Sequence, residues 1–150
     1  MRVIFLDIDG VLVTLASARK KRRPAVADAS CVAALNFLVA NTGAVLVITS
    51  AWRIGTPIEK FQPLFDSWGI KARVFGSTGQ RQDSRGIEIA KWLKYPAPKF
   101  LEPEPVESFV ILDDDADMGM LLPRLVQTNH LVGLTMSDAE QAIKILEVPI

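Results

Sequence analysis

Residues 3–12, VIFLDIDGVL, decide how the rest of the chain is read. Val3, Ile4, Phe5 and Leu6 form an apolar, β-rich run with no helical period, and Gly10 supplies a turn, so the segment predicts a buried strand. Yet the run ends in Asp7 and Asp9. Side chains alternate along an extended segment, which puts both carboxylates on one side and Ile8 on the other. Two carboxylates side by side at the rim of a core repel each other and lose hydration, unless a cation or hydrogen-bond donors lie between them. The pattern asks for a metal ion.

Beyond the Gly10 turn, residues 11–30 form a connection with a basic middle and irregular backbone at Pro24. A helix follows, N-capped by Asp28 or Ser30, with Val32, Leu35, Leu38 and Val39 as its apolar stripe and Gly43 as its stop. AVLVITS, residues 44–50, is a second buried strand that ends in Thr49 and Ser50. Residues 57–70 have helical content interrupted by Pro63, and KARVFGSTG, residues 71–79, is a shorter strand running into a glycine-rich loop. SRGIEIAKWLK, residues 84–94, predicts a helix that starts near Asp83 or Ser84 and offers Ile87, Ala90, Trp92 and Leu93 to the core. A proline-rich surface connection, residues 95–105, leads to SFVILDDDADM, a third apolar strand that ends in acids. HLVGLT, residues 130–135, reads as a short strand, and Ser137 with Glu140 as the capping box of a last helix.

The chain has 150 residues, 49% of them apolar, which suits one domain spanning residues 1–150 with a substantial core. Seventeen basic residues balance seventeen acidic ones, so bulk charge argues for neither nucleic acid nor membrane. The single Cys31 excludes an internal disulfide and a cysteine-rich zinc site, and reads as a small buried hydrophobe. No leader pattern opens the sequence and no apolar run is long enough to span a bilayer, so a soluble, cytoplasmic protein is expected.

Strands alternating with helices predict an α/β, Rossmann-like, doubly wound parallel sheet, in which ligands bind beyond the carboxyl ends of the strands. That rule gathers Asp7 with Asp9, Thr49 with Ser50, and the acids of residues 113–117 at one edge. An oxygen-only donor set suits a hard cation such as Mg²⁺, and Mg²⁺ favours phosphate as a co-ligand, so a phosphorylated substrate is expected. The hydroxyls of Thr49 and Ser50 are suited to donating to a phosphoryl oxygen.

These residues carry a family resemblance. FLDIDGVL resembles the first signature of the haloacid dehalogenase (HAD) superfamily of phosphohydrolases, VLVITS its second, and FVILDDDADM its acidic fourth. ITSAWR, SRGIEIAKWL and GLTMSDAEQAI are similar to the small HAD domains of Swiss Army Knife RNA-repair proteins. The resemblance implies an HAD-like fold, here without room for a substantial cap, and a Mg²⁺-dependent phosphatase. It implies Asp7 as nucleophile forming an aspartyl-phosphate, and Asp9 as the acid that protonates the leaving oxygen and then activates water. It also implies a metal bound by Asp7, by Asp9 through its backbone carbonyl, and by the third-strand acids, with Asp113 and Asp114 first and Asp117 next. The family's third signature is a lysine; here Arg85 stands in that place, with Lys91 deeper in the helix and Arg53 as a second phosphate-binding candidate.

Arg19, Lys20, Lys21, Arg22 and Arg23 follow the first strand, where the superfamily places a flap beside the active site. The run reads equally as a solvated loop and as a clamp for a nucleic-acid backbone. His130 reads as structural, and Trp52, Trp68 and Trp92 as core. Three functions are carried forward: a phosphatase at an RNA or DNA end, working beside other RNA-repair components; a phosphatase for a small metabolite or phosphoprotein; and a non-catalytic domain that binds RNA or protein.

Overall fold

The run that opens the chain becomes β1 (Arg2–Leu6), and Val3, Ile4, Phe5 and Leu6 have no exposed surface because the strand is covered on both faces. The computed structural model describes residues 1–15, 25–80, 83–95 and 104–150. Around β1 lie β2 (Val45–Ile48), β3 (Val74–Ser77), β4 (Ser108–Asp113) and β5 (Leu125–Gln127), in the order β3-β2-β1-β4-β5, with every pairing parallel. The chain winds outward from β1 to β3, then returns to β4 on the other side of β1. This reversal makes the gap between the carboxyl ends of β1 and β4 the crevice where α/β sheets take ligands. The architecture is the α/β, HAD-like Rossmann sheet that the sequence predicts, with no large cap among the described residues.

Helices α1 (Ala29–Thr42), α2 (Phe61–Ser67) and α4 (Met136–Leu146) cover one face, where Leu35, Phe65 and Ala142 join Ile4 and Leu6 in one apolar cluster. α3 (Arg85–Lys94) covers the other, with Ile89 and Trp92 against Val3, Phe5 and Ile111. Trp92 meets Phe5 edge-on, with ring centroids 5.3 Å apart. α1 starts after Asp28 and stops at Gly43, whose φ of 65° is the left-handed conformation that glycine adopts without strain. Cys31 is buried and unpaired by any disulfide, and burial pushes its thiol pKa up, which makes it inert. No helix of the described residues is long and apolar enough to cross a membrane.

Four local readings change. Pro63 does not interrupt a helix: it is the third residue of α2, in the first turn, where its missing N–H has no helical partner to lose. The fifth strand is Leu125–Gln127, and the apolar residues of HLVGLT form a turn closed by the N–H of Gly133 on the carbonyl of Asn129, leaving Leu131 and Val132 exposed. The capping box belongs to Thr135 and Asp138, which exchange hydrogen bonds of 3.1 and 3.0 Å, so α4 starts one residue before Ser137. On α3, Ile87 and Ala90 face solvent while Glu88 and Ile89 are buried, because Glu88 has a buried partner on another segment.

Candidate active site

Register assembles the site. Leu6 pairs with Ile48 and with Leu112, so the next residues, Asp7, Thr49 and Asp113, stand in a row at the carboxyl edge. The main chain extends that row: Asp7 N–H donates to Leu112, Thr49 N–H to Leu6, and Thr128 N–H to the carbonyl of Asp113. The two-residue period then sets the face. Val3 and Phe5, Val47, and Phe109 and Ile111 all point toward α3, so Asp7, Thr49 and Asp113 continue on the α3 side.

α3 answers with Arg85, its first residue. The Arg85 guanidinium lies 3.1 Å from Asp113 Oδ2 through Nε and 3.8 Å from Asp7 Oδ1 through a terminal nitrogen. Gly86 permits this approach: a Cβ there would overlap the backbone carbonyl of Met118, and its N–H donates to the carbonyl of Asp117 at 3.1 Å. Gly10 does the same for β1. At φ 80° it turns the chain, and any side chain on it would collide with the Asp114 carboxylate that folds over it. Just after β5, buried Thr128 donates its hydroxyl to the Gly10 carbonyl at 2.8 Å and fixes the turn.

Asp7, Asp113 and Asp114 therefore converge, each offering an oxygen within 4.8 Å of the others. Burial pushes the Asp113 carboxyl up to about 7, helped by the neighbouring charge of Asp7 and opposed by the N–H of Asp115 and by Arg85. Asp7 is raised as well, by burial first, against the pull of Arg85 and of the Ile8 N–H at 2.9 Å. Asp113 Oδ2 is close enough to Arg85 for an ion pair but has no aligned hydrogen-bond donor, and the buried Thr49 hydroxyl has no hydrogen-bond partner. A buried carboxylate oxygen without a hydrogen bond, in a cluster of three carboxylates, fits a hard divalent cation, which Asp7, Asp113 and Asp114 would hold.

The other residues singled out by the sequence take different places. The chain turns after Ile8, whose carbonyl accepts from the N–H groups of Val11, Leu12 and Val13, and the exposed Asp9 carboxylate accepts a 2.8 Å hydrogen bond from the indole Nε1 of Trp52. Ser50 accepts from the Trp52 N–H and starts the 3₁₀ turn Ala51–Arg53. Arg53, expected at a phosphate, is buried at the wall of the hollow beside Arg85, with its guanidinium taken up by protein acceptors. It donates to Glu88 at 2.7 Å and to the carbonyls of Thr49, Ser50 and Gly79, so it braces the loops that carry the site. Burial lowers its pKa, with Glu88 opposing. Asp117 is exposed beside a polar hollow of about 310 Å³ that also touches Asp83, Arg85 and Asp115. Lys91 pairs with Asp83 at 2.6 Å on the outer side of α3, and His130 is exposed. Arg19, Lys20, Lys21, Arg22 and Arg23 lie outside the described residues.

Sequence reasoning missed Gly86, Glu88 and Thr128, and took Trp52 for a core aromatic only. Only Glu88 left a trace, as a charge set beside Ile89 within the apolar pattern of its helix.

The sequence profile described as the HAD domain in Swiss Army Knife RNA repair proteins matches residues 3–139. The chain belongs to this family. The match runs from β1 through the start of α4, so every element that supplies the candidate site lies inside it. No curated protein and no solved structure gave a match.

Proposed function

We propose that this HAD domain is a divalent-cation-dependent phosphomonoester hydrolase whose substrate is the phosphorylated end of an RNA or DNA strand. The observation that carries the chemistry is the convergence of Asp7, Asp113 and Asp114 with Arg85 at the β1/β4 crevice. Asp7 attacks phosphorus, forming a phosphorus–oxygen bond as the bond to the leaving oxygen breaks. Asp9 gives that oxygen a proton, then takes one from the water that cleaves the aspartyl-phosphate and releases orthophosphate. In this reading Arg85 and the Thr49 hydroxyl bind the phosphoryl oxygens, Arg85 as a charged donor and Thr49 as a neutral one. A cation such as Mg²⁺, when bound, offsets the repulsion between an anionic nucleophile and an anionic substrate.

Two features support a nucleic-acid end. The family carries RNA repair in its description, and the described residues put no large cap over the carboxyl edge, which leaves room for the end of a chain. A second reading, a small phosphorylated metabolite, is favoured by the acids Asp83, Asp115 and Asp117 at the hollow beside Arg85, since a polyanion gains nothing from them.

The test is phosphate release from an RNA oligonucleotide with a 3′-phosphate, one with a 5′-phosphate, and an aryl phosphate, with Mg²⁺ and with chelator, beside Asp7→Asn. Release from one RNA end that chelator and Asp7→Asn both abolish is the expected result. Release from the aryl phosphate alone moves the substrate to the second reading, and release that survives Asp7→Asn overturns the chemistry.

A further inference from the structure

We propose that Trp52 is a positioning residue for Asp9, fixing which oxygen of that carboxyl faces the leaving group; the inference rests on the acid role given to Asp9 above. An exposed aspartate on a turn samples several rotamers, whereas proton delivery needs one oxygen within hydrogen-bond reach of the leaving oxygen. The structure supplies the restraint from another segment. The indole Nε1 of Trp52 donates to Asp9 Oδ2 at 2.8 Å across 43 residues of sequence.

The donor is itself held in place. The Trp52 backbone lies in the 3₁₀ turn Ala51–Arg53, capped on one side by the Ser50 hydroxyl at 3.2 Å. On the other side it is anchored by buried Arg53, which binds the carbonyls of Thr49 and Ser50 at 2.7 and 3.0 Å. Its ring meets Trp68 edge-on at 5.9 Å, and Trp68 stacks at 5.5 Å on Phe65, which has no exposed surface. The indole N–H thus stands on an aromatic column rooted in the core.

Indole nitrogen donates and does not accept. With Oδ2 engaged by that donor, Oδ1 is the oxygen that faces the leaving group, and the same oxygen faces the water of the second step. Trp52 touches neither substrate nor phosphorus in this account. Its effect grows with the basicity of the leaving oxygen: an alkoxide must be protonated as it departs, whereas an aryl oxide departs with little help.

Trp52→Phe keeps the ring on Trp68 and deletes the N–H. The ratio of kcat/KM for an alkyl phosphate, glycerol 2-phosphate, to kcat/KM for an aryl phosphate, p-nitrophenyl phosphate, is expected to fall about tenfold, a part of the 10²–10⁴ that general acid catalysis supplies. A loss of packing alone lowers both rates together, so an unchanged ratio overturns the role of Trp52. Hydrolysis that survives Asp7→Asn overturns the phosphatase reading instead, which separates the two failures. A second readout is independent of turnover. The indole ¹⁵N–¹H resonance that Trp52→Phe removes should shift in Asp9→Ala while those of Trp68 and Trp92 stay, and an unmoved Trp52 resonance also overturns the proposal.

Discussion

Asp113 is where burial and function pull against each other. It has no exposed surface, and its carboxyl is pushed up to about 7 by burial first and by Asp7 second. The unfolded chain gives up that proton near the ordinary value of 3.8, so between there and about 7 the folded protein holds more protons than the unfolded one. Stability falls with pH wherever the folded state binds the extra proton, so Asp113 favours the cation-free fold below its unfolded pKa, and this contribution is lost as pH rises to about 7. Asp7, also raised, acts in the same direction. The expected outcome is that, without divalent cation, these two groups lower the melting temperature between about pH 4 and about pH 7. Mg²⁺ at roughly a hundred times its Kd should restore about 2.7 kcal/mol at the alkaline end, or roughly 5–10 °C for a chain of this size. Asp113→Asn should flatten the cation-free pH curve and lose the response to Mg²⁺. Melting curves of the variant that keep both the slope and the Mg²⁺ shift would exclude this account of Asp113.

At the scale of elements, the start of α3 is the most constrained contact of the site. Gly86 lets the helix rest on the Met118 carbonyl, and that contact sets the height at which Arg85 reaches Asp113 and Asp7. Gly86→Ala puts a methyl into backbone that cannot swing away. A loss of about 1–3 kcal/mol is expected from urea unfolding, as for other overpacked sites, with kcat reduced as Arg85 is displaced. Ile87→Ala on the exposed side of the same helix should stay within about 0.5 kcal/mol of the parent, and equal losses in the two variants would refute the packing argument. This helix also marks how far the sequence could be read. β1, β2 and β4 were legible because a strand buried on both faces is a continuous apolar run, and the acids at their ends stood out against it. α1 was legible from its stripe and from Gly43. The buried face of α3 was not, because Glu88 is held in the core by Arg53, a partner 35 residues away that no periodicity can show. β5 was hidden for a related reason: three residues paired on β4 leave less pattern than the apolar turn that follows them. Trp52 and Asp9 were each visible, as a core aromatic and as an acid, but only the assembled sheet edge brings them into contact.

For the whole molecule, the question is how a protein of formal net charge +0 would hold a nucleic-acid end against an acidic site. The crevice offers little attraction by charge: Arg85 faces the carboxyl groups of Asp7, Asp113 and Asp114, and in the neighbouring hollow Arg53 is paired with Glu88 while Asp83, Asp115 and Asp117 stand beside Arg85. Attraction must come from elsewhere in the chain, and the sequence concentrates it in Arg19, Lys20, Lys21, Arg22 and Arg23, soon after the strand that carries Asp7 and Asp9. If all five meet phosphates of a single strand, log K for RNA falls with log salt at a slope of about −3.5, or roughly a hundredfold between about 50 and 200 mM. The expected result is that kcat/KM for an RNA end drops steeply with salt while that for an aryl phosphate changes little. Replacing the five by glutamine should lower the RNA value at low salt and remove most of its salt slope, with the aryl value kept. Equal salt curves for parent and variant on RNA would take the basic run out of substrate binding, and would turn the acidic hollow beside Arg85 into the stronger guide to what this site accepts.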